Sequence, residues 1–346
     1  MAILRAAPED FRVEEVPLYS PSGSGDHTFV WIEKRLRTTE EVARALARAA
    51  GVHPGDVGYA GRKDRVSVSR QWFSVPGLDP DRAGDLALEG VIVLEAARHP
   101  HKLRTGQLAG NRFEIVVRDL AEGDAAHASE ALGRMERTGM SNRFGPQRFG
   151  RDGDNAERGL ALLRDGRIRV DRRDARFLLS ALQAAVFNEA LRLRAAPLDA
   201  VEAGDVAVVH ESGGLFVVED ALREGARAAA FEISATGPIF GTRVPEPVGP
   251  ALERERAALR TCGIEPGAPI RTPPGVRLRG ARRALRVRPT ETGVTTLPGA
   301  LQLRFMLPAG SFASVLLEDA FGVTGTLADT GARPALTSPG PGGNEP

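Results

Sequence analysis

Strand and helix signals follow one another along this chain without a regular strand–helix–strand repeat, and that order narrows the possible folds more than any other property of the sequence. Residues 28–33 (TFVWIE) have the aromatic and β-branched content of a strand. Thr38 and Glu41 then stand at capping-box spacing, so a helix opens there. Val42, Ala45, Leu46 and Ala49 give it an apolar face, and Gly51 ends it. Residues 113–117 and 301–307 read as further strands, the second alternating through Leu301, Leu303 and Phe305, whereas 129–140 and 175–194 read as helices. Two strand-like pieces, 205–209 and 215–219, flank Glu211-Ser212-Gly213-Gly214 and predict a hairpin. The predicted fold class is α+β rather than a doubly wound parallel sheet. From about residue 328 the chain is rich in Pro, Gly, Ser and Thr, so 328–346 is predicted to be a disordered tail.

With 346 residues, 42% of them hydrophobic and 26% charged, the chain has enough apolar material for a substantial core in one or two domains. Its one cysteine, Cys262, excludes an intramolecular disulfide and any zinc site built from several cysteines. The six histidines form no HExxH or Hx₃H pair, and there is no GxxxxGK[ST] loop, no GxGxxG after a strand and no GxSxG elbow. The expectation is chemistry with no metal and no cofactor. Apolar runs such as 91–94 and 315–317 are far too short to cross a bilayer, and the opening MAILRAAPEDF lacks a signal-peptide core. A cytoplasmic protein with no membrane association is expected.

Net charge is only +1, but the charge is unevenly placed, and 43 of the 46 cationic side chains are arginine. Between Asp56 and Asp79 the one acid is Asp64, set among Arg62, Lys63, Arg65 and Arg70. Between Glu95 and Glu114 there is none, against Arg98, Lys102, Arg104 and Arg112, and residues 271–288 hold seven arginines and no acid. Together the windows predict a surface that tracks phosphates. The competing reading is that carboxylates from other segments neutralise them. Asp64, flanked by three cations, suits a nucleophile or general base, but from the residues alone an ordinary ion pair beside the turn at 58–61 is the reading to prefer. Glu14 and Glu15 are adjacent and, on a strand, point to opposite faces.

The surroundings of Asp64 carry a resemblance. GYAGRKDRVSVSRQWFSV (58–75) resembles the signature of the tRNA pseudouridine synthase D family. Further family-like blocks follow in order: PEDFRVEE (8–15), GDHTFVWIEK (25–34), HKLRTGQLAGNRFEIVVR (101–118) and NRFGPQRFGR (142–151). Then come LLSALQAAVFNEAL (178–191), TGPIFG (236–241) and LQLRFMLPAGSFASVLLEDAF (301–321), so the likeness spans nearly everything but the tail. Arg62 stands where the family often has an apolar or amide residue, and Val66-Ser67 where a His-Ala pair is common.

The resemblance implies an enzyme that isomerises uridine to pseudouridine, at uridine 13 of tRNA in bacteria, without metal or cofactor. It implies a pseudouridine-synthase catalytic domain with a mostly antiparallel sheet, at 1–139 and 289–327, and a family-specific inserted α/β domain at 140–288. It places the nucleophile on Asp64, a supporting ion pair on Lys63, and substrate contacts on Phe11, Asn111 and Phe312. Phe113 and Phe144 are expected in the core. The partner implied is tRNA, with the protein acting as a monomer and no protein partner. Two other readings stay open: a non-catalytic RNA-binding protein that keeps the fold, and a glycosylase or nuclease in which Asp64 cleaves and the base or strand is lost.

Overall fold

The structure, a computed structural model, describes residues 3–4, 6–165 and 170–321, so the tail expected at 328–346 lies outside the described residues. The first half of the chain forms β1 (Ile3–Leu4), β2 (Phe11–Pro17), β3 (His27–Arg35), α1 (Thr39–Ala50), β4 (Gly58–Tyr59), β5 (Val68–Pro76), β6 (Val91–His99) and β7 (Leu108–Arg118). Next come α2 (Asp124–Thr138), β8 (Met140–Ser141), α3 (Asn155–Asp165), α4 (Arg172–Arg192), β9 (Val206–Val209), β10 (Leu215–Val217), α5 (Ala221–Ala229), β11 (Ile233–Ile239) and α6 (Gly249–Thr261). The chain closes with β12 (Ala281–Ala284), β13 (Arg286–Val287), β14 (Thr290–Leu297), β15 (Ala300–Pro308) and α7 (Ala313–Phe321).

One sheet runs in the order β14-β15-β7-β2-β5-β3-β6, with β1 on β7 and β4 on β5. Within it only β2 and β5 run parallel. The last long strand, β15, lies beside β7 over its whole length, from Ala300 opposite Arg118 to Pro308 opposite Gly110. A second sheet, β10-β9-β11-β12, draws all its strands from residues 206–284. The predicted α+β class and mostly antiparallel sheet are what the molecule has. The predicted hairpin is β9–β10, with Leu215 opposite Val208.

Strand alternation divides the large sheet into two unlike faces. Phe11, Val13, Ile115, Val117, Leu301, Leu303, Phe305 and Leu307 point to one face, where α2 and α7 cover them. Farther across the same face, Val30, Ile32, Phe73 and Val75 pack with α1. The opposite face carries a ladder of ion pairs: Glu33–Arg70 (2.8 Å), Arg70–Glu14 (3.4 Å), Glu14–Arg112 (3.6 Å) and Arg112–Glu291 (2.6 Å). Glu14 and Glu15 do part to opposite faces, as their adjacency requires.

α1 shows the local logic. Thr38 Oγ1 accepts from the Glu41 N–H (3.1 Å) while the Glu41 carboxylate accepts from the Thr38 N–H (2.6 Å), and Gly51 ends the helix at φ 67°. Val42, Ala45 and Leu46 are buried as expected, but Ala49 is exposed. The buried stripe also takes in Thr39, Ala43 and Ala47, so it is centred to one side of the expected face. Among the described residues no helix is long and apolar enough to cross a membrane.

Candidate active site

Between the cluster under α1 and the cluster under α2 and α7, the sheet offers polar side chains. Glu15 follows Val13 along β2, Asn111 lies opposite it on β7, and Ser69, Gln71 and Lys34 sit on the same face of β5 and β3. Burying such groups costs free energy unless each finds a partner. The loop 61–67 supplies the partners. Gln71 Nε2 donates to the Gly61 carbonyl (3.0 Å), Thr39 Oγ1 donates to Gln71 Oε1 (2.9 Å), and the Lys63 N–H donates to Thr39 Oγ1 (3.0 Å).

Lys34 is fully buried and its ammonium donates to three carbonyls: Arg37 (2.7 Å), Asp64 (2.9 Å) and Lys63 (3.4 Å). Ser67 Oγ donates to the same Asp64 carbonyl (2.8 Å). Burial pushes the Lys34 ammonium down to about 8, with the Asp64 carboxylate acting in the opposite direction and Lys63 in the same one. The backbone of Asp64 is therefore fixed from beneath while its side-chain position is exposed.

Lys63 is also drawn inward. Its Nζ donates to Asn111 Oδ1 (2.7 Å) and to Glu15 Oε2 (3.1 Å), and both members of the ion pair are almost wholly buried, at 5% and 1% side-chain exposure. Burial raises the Glu15 carboxyl, against the pull of Lys63. The Trp72 N–H takes the other Glu15 oxygen at 3.4 Å. Lys63 was expected beside Asp64; its ammonium instead joins Glu15 to Asn111. Of the other two cations flanking Asp64, Arg62 pairs with Glu40 (2.6 Å) and Arg65 reaches the Leu36 carbonyl (3.3 Å).

The predicted site residues thus fall in three places. Lys63 and Asn111 meet on the polar strip, and Asp64 is tied to it through its backbone carbonyl. Phe11 lies 6% exposed in the adjoining core, edge-on to Phe113 at 6.2 Å. Phe312 is half-buried just before α7, its ring 5.9 Å from that of Phe144. Phe113 and Phe144 are both partly buried against the cores, as expected. Lys34, Glu15, Gln71 and Thr39 were not foreseen.

The family model of tRNA pseudouridine synthase D matches residues 1–167 and 165–320. The chain belongs to that family. Relatives named tRNA pseudouridine synthase D include one from Anaeromyxobacter sp. (strain Fw109-5), 43% identical over 91% of both chains. Another, from Thermus thermophilus, is 44% identical over 91% of this chain and 87% of its own. A solved structure of a candidate tRNA pseudouridine synthase D from Methanosarcina mazei superposes with a TM-score of 0.74, covering 93% of this chain and 94% of its own. At 21% identity that last likeness speaks for the fold alone. Family membership makes the protein a pseudouridine synthase, an isomerase of uridine in tRNA.

For a member of the pseudouridine synthase D family, the arginine windows divide informatively. Arg70, Arg112 and Arg282 are taken up by carboxylates, the last by Glu255 at 2.6 Å. Arg286 is fully buried and donates to the carbonyls of Thr138 (2.7 Å), Ala228 (2.5 Å) and Ile233 (3.2 Å). Arg104, Arg271, Arg277 and Arg279 are exposed and have no carboxylate partner among the described residues. The first window is therefore taken up within the protein, whereas the second and third keep exposed arginines without a carboxylate partner among the described residues.

Proposed function

We propose that the protein converts uridine 13 of tRNA to pseudouridine without a cofactor, and that Asp64 is the residue that opens the glycosidic bond. The observation that carries this is the Asp64 loop: an exposed carboxylate on a backbone clamped by a buried lysine and a serine hydroxyl. A fixed nucleophile facing an open site is what covalent catalysis needs. The isomerisation breaks N1–C1′, turns the uracil and forms C5–C1′. The C5 proton leaves and N1 gains one, so no electrons enter or depart.

A stacked base is out of reach, so the nucleotide must leave the helix at a cost of a few kcal/mol. Phe312, half-buried, offers a ring on which uracil stacks, worth roughly 1–3 kcal/mol. Phe11 contributes from behind, through its edge contact with Phe113. Asn111 has a defined part. Lysine can only donate, so the Asn111 oxygen must face Lys63 and its NH₂ group is the one turned to substrate. A donor there suits a uracil carbonyl and opposes the amino group of cytosine. Residues 1–139 and 289–327 are the catalytic domain in this reading, and 140–288 the insertion. The return of β15 beside β7, and a second sheet made only of residues 206–284, support that division.

Mapping pseudouridine on transcribed tRNA treated with the protein tests this. Conversion at uridine 13, abolished when that position is cytidine, is expected. Conversion at another uridine overturns the position. An abasic or shortened product overturns the isomerisation and favours a glycosylase or nuclease.

A further inference from the structure

Arg143 and Arg282 are guanidiniums drawn in from solvent and met by carboxylates, whereas the fully buried Arg286 is met by three carbonyls and a hydroxyl. Arg143 is bound by Glu318 (2.8 Å) and Asp319 (2.6 Å), and Arg282 by Glu255. Two neighbours of these residues are treated differently. Arg148 and Arg283 both lie against the ring of Phe144, at 5.4 and 4.3 Å from its centroid, and neither has a carboxylate partner among the described residues. Arg283 donates to the Asn142 carbonyl (3.1 Å), to Asn142 Oδ1 and to the Gly310 carbonyl (2.9 Å). Arg148 makes one side-chain hydrogen bond, to Ser180 Oγ at 3.3 Å. Both guanidiniums are half-buried, and they retain N–H groups without an acceptor among the described residues.

Gathering two like charges out of water is costly unless an anion shares the site. Burial lowers both groups, Arg283 to about 10, with Arg148 adding to that shift. The surroundings also favour negative charge. The N-terminus of α7, a nine-residue helix, opens at Ala313 beside this cluster, and the buried Ser314 hydroxyl there has no hydrogen-bond partner among the described residues. Ser314 lies against Gly145, where a Cβ would meet its Oγ at 2.8 Å. The Gly310 carbonyl held by Arg283 belongs to the turn that presents Phe312, and the Phe312 ring is 5.9 Å from Phe144.

We propose that Arg148 and Arg283 together form a binding site for one phosphodiester of the RNA substrate, next to the Phe312 turn. This rests on the reading of the protein as an enzyme acting on tRNA. The planar forks of two arginines match the oxygens of a phosphate, and the pairing anchors the strand where the flipped base enters. Because Arg283 also grips the Gly310 carbonyl, an occupied site steadies the turn that carries Phe312.

The test measures tRNA affinity against salt concentration for Arg148→Gln, Arg148→Lys and Arg283→Gln, each in an Asp64→Asn background so that no product forms. Arg148 is the principal arm because it has only the one hydrogen bond to Ser180, and a thermal melt confirms that each variant is folded. Arg44→Gln, an exposed position on α1, measures the effect of losing any one positive charge. Arg148→Gln is expected to weaken binding five- to tenfold and to reduce the slope of log affinity against log salt by about 0.7–0.9, with Arg148→Lys recovering most of the slope. A slope equal to that of Arg44→Gln overturns the site. So does loss of stabilisation by inorganic phosphate in Arg148→Gln with tRNA affinity unchanged, which assigns the pair to a free anion. If Arg148→Gln behaves as expected but the protein with Asp64 intact makes no pseudouridine, the phosphate site stands and the proposed reaction falls.

Discussion

Lys34 offers a sharp test of how the Asp64 loop is held. Its ammonium is fully buried on three carbonyls and sits at about 8 instead of 10.5. At about 1.4 kcal/mol per pH unit, that displacement is a penalty of roughly 3 kcal/mol for keeping the folded ammonium charged. Below pH 8 both the folded and the unfolded chain hold the proton, and the penalty is present in full. Between pH 8 and 10.5 the folded chain gives up the proton while the unfolded chain keeps it, so stability rises with pH. Activity moves the other way. A neutral amine has two N–H groups for three carbonyls, so one support of the Asp64 loop is lost. Release of label from C5 of uridine in tRNA, followed from pH 6.5 to 9.5, should show kcat falling with a midpoint near 8. Urea unfolding over the same range should show the wild type gaining stability relative to Lys34→Met, whose kcat is low and lacks that limb. Parallel stability profiles for the two proteins, or the same alkaline limb in Lys34→Met, would refute the reasoning.

Lys63→Met removes one partner of a buried pair and leaves Glu15 uncompensated, so urea unfolding should show a loss of about 3–5 kcal/mol. Lys63→Met combined with Glu15→Gln should recover part of it, and equal stability of single and double variants would contradict the pairing. Thr38→Ala removes the hydroxyl that caps α1 and should cost about 1 kcal/mol in the same assay, against no change if the cap contributes nothing.

The features legible in the sequence were those set by neighbours along the chain. The Thr38–Glu41 box, the Gly51 stop, the β9–β10 hairpin and the divergence of Glu14 from Glu15 each need only a few residues to specify. What escaped depends on groups far apart in the chain. Lys34 stands in EKR, which reads as a solvated strand end, and is buried only because residues 61–67 fold across it. Lys63 was paired with its sequence neighbour Asp64, whereas its partners, Glu15 and Asn111, come from β2 and β7. Arg112 stands in an acid-free window, yet carboxylates reach it from β2 (Glu14) and from β14 at the far end of the chain (Glu291). Ala49 is exposed for a tertiary reason too, since the centre of the buried stripe on α1 is set by how the helix sits on the sheet.

The central claim is that Asp64 performs the chemistry on a loop fixed by other residues. The most direct measurement compares wild type with Asp64→Asn on tRNA, reading pseudouridine formation and tRNA binding side by side. Wild type should convert one uridine, while Asp64→Asn should bind with similar affinity and convert none. Pseudouridine formation by Asp64→Asn at a rate near that of wild type would contradict the account.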